Sequence, residues 1–228
     1  MNGNQVGIVL IILGMSLFAL QDVLIKSMAP TASLMQILFF RGVIGTILLS
    51  LFFYLTNRKI SFSSSYPITA IARGILFFVG FTSYYVSLTL IPLAEATSLF
   101  FISPLFMTIF SKIILKDEVG FHRSGAIIFG FLGILFIIKP SFVTFNWAML
   151  LPILCAVTYS LSMILAKLTS AEDTSFQQTS HIYISNFLLA AVTSFVVSYL
   201  ISYNGTNAGL EFIVRPFNFA NKLFLFYM

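Results

Sequence analysis

The chain has 228 residues, of which 59% are hydrophobic and 8% charged, with a formal charge of +5. A water-soluble domain carries roughly a quarter charged residues, so this chain has nothing from which to build a surface facing water. Its basic residues stand singly or in pairs, without the patch that a nucleic-acid backbone needs, and its one cysteine, Cys155, excludes an internal disulfide.

Charge is absent between Arg73 and Glu95, between Lys139 and Lys167, and from Asp173 to Glu211. Each gap reaches the roughly 20 residues that a helix needs to cross about 30 Å of hydrocarbon. The fold class expected is all-α, a polytopic transmembrane bundle of about seven spans. They are placed at Val6–Met28, Ser33–Leu55, Pro67–Leu90, Pro92–Leu115, Arg123–Lys139, Trp147–Lys167 and Gln177–Tyr203. Pro30, Pro67, Pro92 and Pro140 fall at the edges, where a missing N–H costs least. With the N-terminus inside, the inner loops hold Arg58 and Lys59, then Lys112, Lys116 and Arg123, then Lys167. The outer connections hold only Lys26 and Lys139, so the bias of basic residues favours a cytoplasmic N-terminus.

Span one carries Asp22, near 9 Å from its outer end at about 1.5 Å per residue, and span two carries Arg41, near 12 Å deep. Ionisable groups at membrane depth are expensive and are functional candidates by default. Across an antiparallel hairpin this pair can bind a zwitterionic solute or couple to protons; equally, it can be a structural ion pair. Lys26, one turn after Asp22, is a rival partner for it or simply reaches outward. In span three, Arg73 either lines a cavity or snorkels to inner phosphates, and Tyr84 and Tyr85 are candidates to stack on a planar or cationic ligand. Glu95 opens span four, where the helix dipole favours a carboxylate, or else serves an outer gate. Pro104 falls in the middle of that span and should bend or break it, as in the discontinuous helices that line many carrier sites. Ala126, Gly130 and Gly133 share one face of span five and read as a packing seam. His181, within span seven, reads as a hydrogen-bonded structural residue.

Phe18-Ala19-Leu20, Leu24 and Lys26 are echoed by Tyr159-Ser160-Leu161, Leu165 and Lys167 at one constant offset. The second copy lies five spans after the first, and an odd step inverts it, the arrangement of inverted-repeat transporters. The chain then divides into a first five-helix repeat over 6–139, the first two helices of a second repeat over 147–203, and a tail over 204–228. On this reading the first repeat is complete and the second incomplete. The tail is expected to be truncated or divergent, because Glu211, Arg215 and Lys222 interrupt what should be an eighth span.

Three stretches carry a resemblance: Arg73-Gly74-Ile75-Leu76-Phe77-Phe78, Leu93-Ala94-Glu95-Ala96-Thr97 and Ser103-Pro104-Leu105. With Phe39-Phe40-Arg41-Gly42, and Lys116-Asp117-Glu118 ahead of Gly125, Gly130 and Gly133, they resemble the EamA-like permeases of the drug/metabolite transporter superfamily. The similarity is greatest to the branch of S-adenosylmethionine uptake carriers. The resemblance implies two inverted five-helix repeats around a central cavity in a bacterial inner membrane. The implied activity is gradient-driven transport of a small polar or zwitterionic metabolite, with the lipid bilayer and that solute as partners. The shortfall of helices makes an inactive remnant the first alternative and a non-transport membrane protein the second, with an oligomer of short chains another way to complete the bundle. No catalytic residue, metal site or cofactor is expected, since the chain has no H-E-x-x-H, G-x-S-x-G or P-loop pattern.

Overall fold

A backbone in hydrocarbon must satisfy its own N–H and C=O groups, and a long apolar run does so by becoming helix. The computed structural model describes residues 3–57, 60–118, 120–138, 146–200 and 207–217. Among them every regular element is helical. The order is α1 (Gly3–Met28), α2 (Leu34–Leu55), α3 (Pro67–Leu90), α4 (Leu93–Phe100), α5 (Ser103–Ile114), α6 (Phe121–Ile138), α7 (Leu150–Thr169), α8 (Ser175–Leu200) and α9 (Ala208–Val214), with a 3₁₀ turn, Trp147–Met149, leading into α7. Among the described residues six helical stretches are long and apolar enough to cross a membrane, α4 and α5 together forming one of them as Leu93–Ile114. The helix α6 lies where the fifth span was expected.

Span four is broken rather than bent. Its helix stops at Phe100 and restarts at Ser103, with Pro104 in the first turn of α5. Proline brings no N–H and fits only where none is needed, so the ladder is interrupted there. The hydroxyl of Ser160 on α7 reaches across to the break, 2.9 Å from the Ser103 carbonyl and 2.6 Å from its own Ala156 carbonyl. One hydrogen is shared between two helices.

The buried helix is α3. It packs on α7 and α8, while α2 packs on α8 and α7 also meets α4 and α5. These approaches are close because small residues stand at the crossings. A Cβ added to Gly42 would lie 2.7 Å from the Tyr183 carbonyl and 2.9 Å from the Phe187 nitrogen, both backbone atoms of α8. A Cβ on Gly74 would lie 2.4 Å from that of Ser185, also on α8. The seam expected on span five is corrected accordingly. Gly130 and Gly133 are exposed, and a Cβ on either would meet nothing within 4 Å. Their face of α6 points away from the helices of this chain, and the Ala126 side chain lies outside the described residues. The working seams are at Gly42 and Gly74.

Two ends can be distinguished. At one, the α2–α3 loop, the α5–α6 loop and the α7–α8 loop lie together. Lys167 pairs with Asp117 at 2.5 Å, and Asp173 accepts from Ser64 Oγ at 2.5 Å and the Ser65 backbone N–H at 2.9 Å. At the other, α9 lies against the α1–α2 connection, where Arg215 Nη1 donates to the carbonyls of Ala29 and Ala32 at 3.0 and 2.9 Å. The expected interruption of the tail is thus a short helix folded back on that end. Asn207 caps it by accepting from the Gly209 and Leu210 N–H groups.

Candidate polar site within the bundle

Adjacent residues on a helix project about 100° apart, so Tyr84 and Tyr85 on α3 aim their phenols at different neighbours. The Tyr84 hydroxyl donates to Asp22 Oδ2 on α1 at 2.8 Å. The Tyr85 hydroxyl accepts from Arg41 Nη1 on α2 at 2.6 Å and from Gln21 Nε2 on α1 at 2.7 Å. Thr97 Oγ1 on α4 lies 3.4 Å from the Tyr84 oxygen, but its hydrogen goes to the Leu93 carbonyl. Both rings are fully buried and Asp22 is only 4% exposed.

The expected pair of opposite charges is therefore present at one depth but not in contact. Among the described residues the ion pairs are Lys167–Asp117 and Arg215–Glu211. Asp22 and Arg41 are held apart by one tyrosine each, because α3 inserts its two phenols where a direct bridge would form. Nor does Lys26 satisfy Asp22: its Nζ donates to the Ile91 carbonyl at the end of α3. Asp22 Oδ1 has no partner among the described residues. A buried acceptor without a donor costs about 1–3 kcal/mol, and Asp22 carries that cost inside the helix bundle.

A cavity of about 370 Å³ opens between α1, α2 and α8, walled by Gln21, Ile37, Phe40, Arg41 and Tyr183 among others. A smaller one, about 120 Å³, lies between α2, α3 and α8, and Arg41 and Tyr183 line both. Arg41 thus stands at the waist of two chambers, with one Nη1 hydrogen committed to Tyr85.

Other candidates fall elsewhere. Arg73 is 3% exposed. It neither borders these two chambers nor snorkels: its Nε donates to the Ser162 carbonyl at 3.3 Å and the Ser162 hydroxyl returns a bond to the Arg73 carbonyl at 3.4 Å. It ties α3 to α7. Glu95 sits half-buried in the first turn of α4 and forms no ion pair among the described residues. His181 places Nε2 2.7 Å from the Phe62 carbonyl, fastening α8 to the α2–α3 loop. The hydrogen-bonding roles of Tyr84 and Tyr85, and the parts played by Gln21, Thr97 and Asn186, escape a reading of the sequence; tyrosines one turn from a charged pair's depth were the available signal.

The end bearing Asp173 is closed. Beyond the bonds to Ser64 and Ser65, Gln177 Nε2 donates to the Ser63 carbonyl. Tyr66 donates to Glu172 Oε1 at 2.8 Å, which holds its phenol above the usual tyrosine value. Phe176 is buried against Phe53 and Phe62, with ring centroids 4.5 and 5.4 Å away.

Six apolar helical stretches among the described residues, with cavities between them that Arg41 lines, define a polytopic helical membrane protein. The chain belongs to the EamA-like transporter family, whose model matches residues 5–139. It is 30% identical over 161 residues to a protein of Rickettsia prowazekii (strain Madrid E) named S-adenosylmethionine uptake transporter, covering 71% of this chain and 54% of that one. It is 29% identical over 136 residues to the pseudopaline exporter CntI of Pseudomonas aeruginosa (strain UCBPP-PA14), covering 59% and 46%. The matches thus span about half the length of these two relatives. A solved structure described only as "Crystal structure of protein" superposes with a TM-score of 0.58 at 16% identity, over 85% of this chain and 69% of that one, a likeness of fold.

Proposed function

We propose that the chain moves a small zwitterionic metabolite of the S-adenosylmethionine class across a bacterial inner membrane, driven by a gradient, with its N-terminus in the cytoplasm. The observation that carries this reading is the split pair: Asp22 and Arg41 at one depth, each held by a single phenol rather than by the other. Arg41 meets a solute directly in both cavities. Asp22, which lines neither, supplies the second charge once the Tyr84 phenol moves aside, exchanging a hydrogen bond to tyrosine for an ion pair at low dielectric. Closure at the Asp173 end and a cavity open between α1 and α2 suit one state of an alternating-access cycle. The similarity to an S-adenosylmethionine uptake transporter supports the solute class, and inward transport follows that relative's name. A first five-helix repeat over 6–139 and the first two helices of an inverted second repeat over 147–203 supply the architecture. Asp22→Asn in vesicles should reduce saturable S-adenosylmethionine uptake at least tenfold while the protein still inserts; unchanged uptake counts against the assignment.

A second reading, in which this chain acts only with further helices or a second copy, is favoured by α1. From Val6 to Leu20 it is exposed on nearly every side, with Ile8, Leu10, Ile11 and Leu17 more than half exposed. Cross-linking of a cysteine placed at Ile11, with and without unlabelled chain, separates the two.

A further inference from the structure

The smaller cavity has its own chemistry. Its wall includes Arg41, Thr179, Tyr183 and Asn186, with Phe77 and Phe81 closing the apolar side. Asn186 is 7% exposed. Its Nδ2 donates to the Ile182 carbonyl at 2.9 Å, which fixes the orientation of the amide, and its Oδ1 is buried with no partner among the described residues. Arg41 can only donate hydrogen bonds and the unpartnered oxygen of Asn186 can only accept them. A group that satisfies both offers an acceptor, best an anion, to Arg41 and a donor, best a cationic N–H, to Asn186. The available space, about 120 Å³, equals roughly four waters at about 30 Å³ each, and an amino-carboxylate head is of that size. We propose that this chamber is a subsite for an α-amino-carboxylate head group, with the carboxylate on Arg41 and the ammonium on Asn186 Oδ1. The remainder of the solute occupies the 370 Å³ cavity on the other side of Arg41. This assignment rests on the transport reading above and narrows it: solutes are selected by an amino-acid end rather than by net charge.

The test uses the full chain in lipid nanodiscs and two pairs of probes. The first pair is S-adenosylmethionine and its decarboxylated form; the second is L-methionine and 3-(methylthio)propylamine. In each pair only the first member has the carboxylate. At least one pair should show the acid binding tenfold or more tighter than the amine. Asn186→Leu and Arg41→Gln should each reduce that ratio below about threefold. Equal binding within both pairs, absence of binding by all four probes, or a ratio untouched by both substitutions overturns the subsite. Because the pairs are compared on the unaltered protein, a variant that fails to fold does not remove the test. Uptake of S-adenosylmethionine measured in parallel judges the transport reading separately: uptake without head-group preference sinks the subsite and leaves transport standing.

Discussion

Tyr84 and Tyr85 are the residues on which the interior charges depend. Removing the Tyr84 hydroxyl leaves both Asp22 oxygens unmet, and removing that of Tyr85 takes a partner from both Arg41 and Gln21. Each loss costs about 1–3 kcal/mol. Tyr84→Phe should accordingly lower the thermal unfolding midpoint in detergent by several degrees, and Asp22→Asn added to it should recover part of the loss, since a neutral amide is cheaper to bury than an unpaired carboxylate. Equal midpoints for Tyr84→Phe and the double variant would show that the bond does not carry the charge. At this scale the sequence was partly legible. Asp22 and Arg41 stand out as charges in oily runs, and their matching depth follows from counting residues. Their separation does not, because it depends on how α3 is rotated about its axis, which the apolar pattern of a helix buried on most sides leaves open.

For the helices, legibility follows the same division between one-dimensional and packed information. Spans one to four and six emerge within a few residues of where apolar runs predict them, and the break at Pro104 follows from the chemistry of proline. Contacts between helices were misread. Ala126, Gly130 and Gly133 have the spacing of a seam, yet the glycines pressed against α8 are Gly42 and Gly45, which share that spacing, and Gly74, which stands apart from them on α3. A crossing needs one small residue at the right place, and spacing along one helix cannot locate its partner. Gly42→Val should therefore destabilise by about 1–3 kcal/mol, because the atoms in its way are backbone. Gly130→Val should fall within about 0.5 kcal/mol of the unaltered protein. Thermal unfolding of the two side by side checks the contrast, and a reversed order restores the span-five seam. The loop latch makes a further prediction. Asp173→Ala removes the acceptor shared by Ser64 and Ser65, so a cysteine introduced at Ser63 should react faster with a membrane-impermeant maleimide in that background; an unchanged rate would mean the loop is held closed without Asp173.

At the level of the whole molecule, composition alone excludes a water-soluble fold, and the resemblance noted in the second helix, in Arg73-Gly74 and around Pro104 agrees with the family match over residues 5–139. In those motifs Gly42 and Gly74 are packing elements pressed against α8, while the polar groups that face the cavities come from α1, α2 and α8, Arg41 of the second-helix motif among them. Accumulation of tritiated S-adenosylmethionine in proteoliposomes containing the full chain, beside the Arg41→Gln variant, puts the central claim most directly at risk. The account predicts saturable uptake above protein-free liposomes that drops at least tenfold in the variant; no uptake by the unaltered chain, or equal uptake by both, contradicts it.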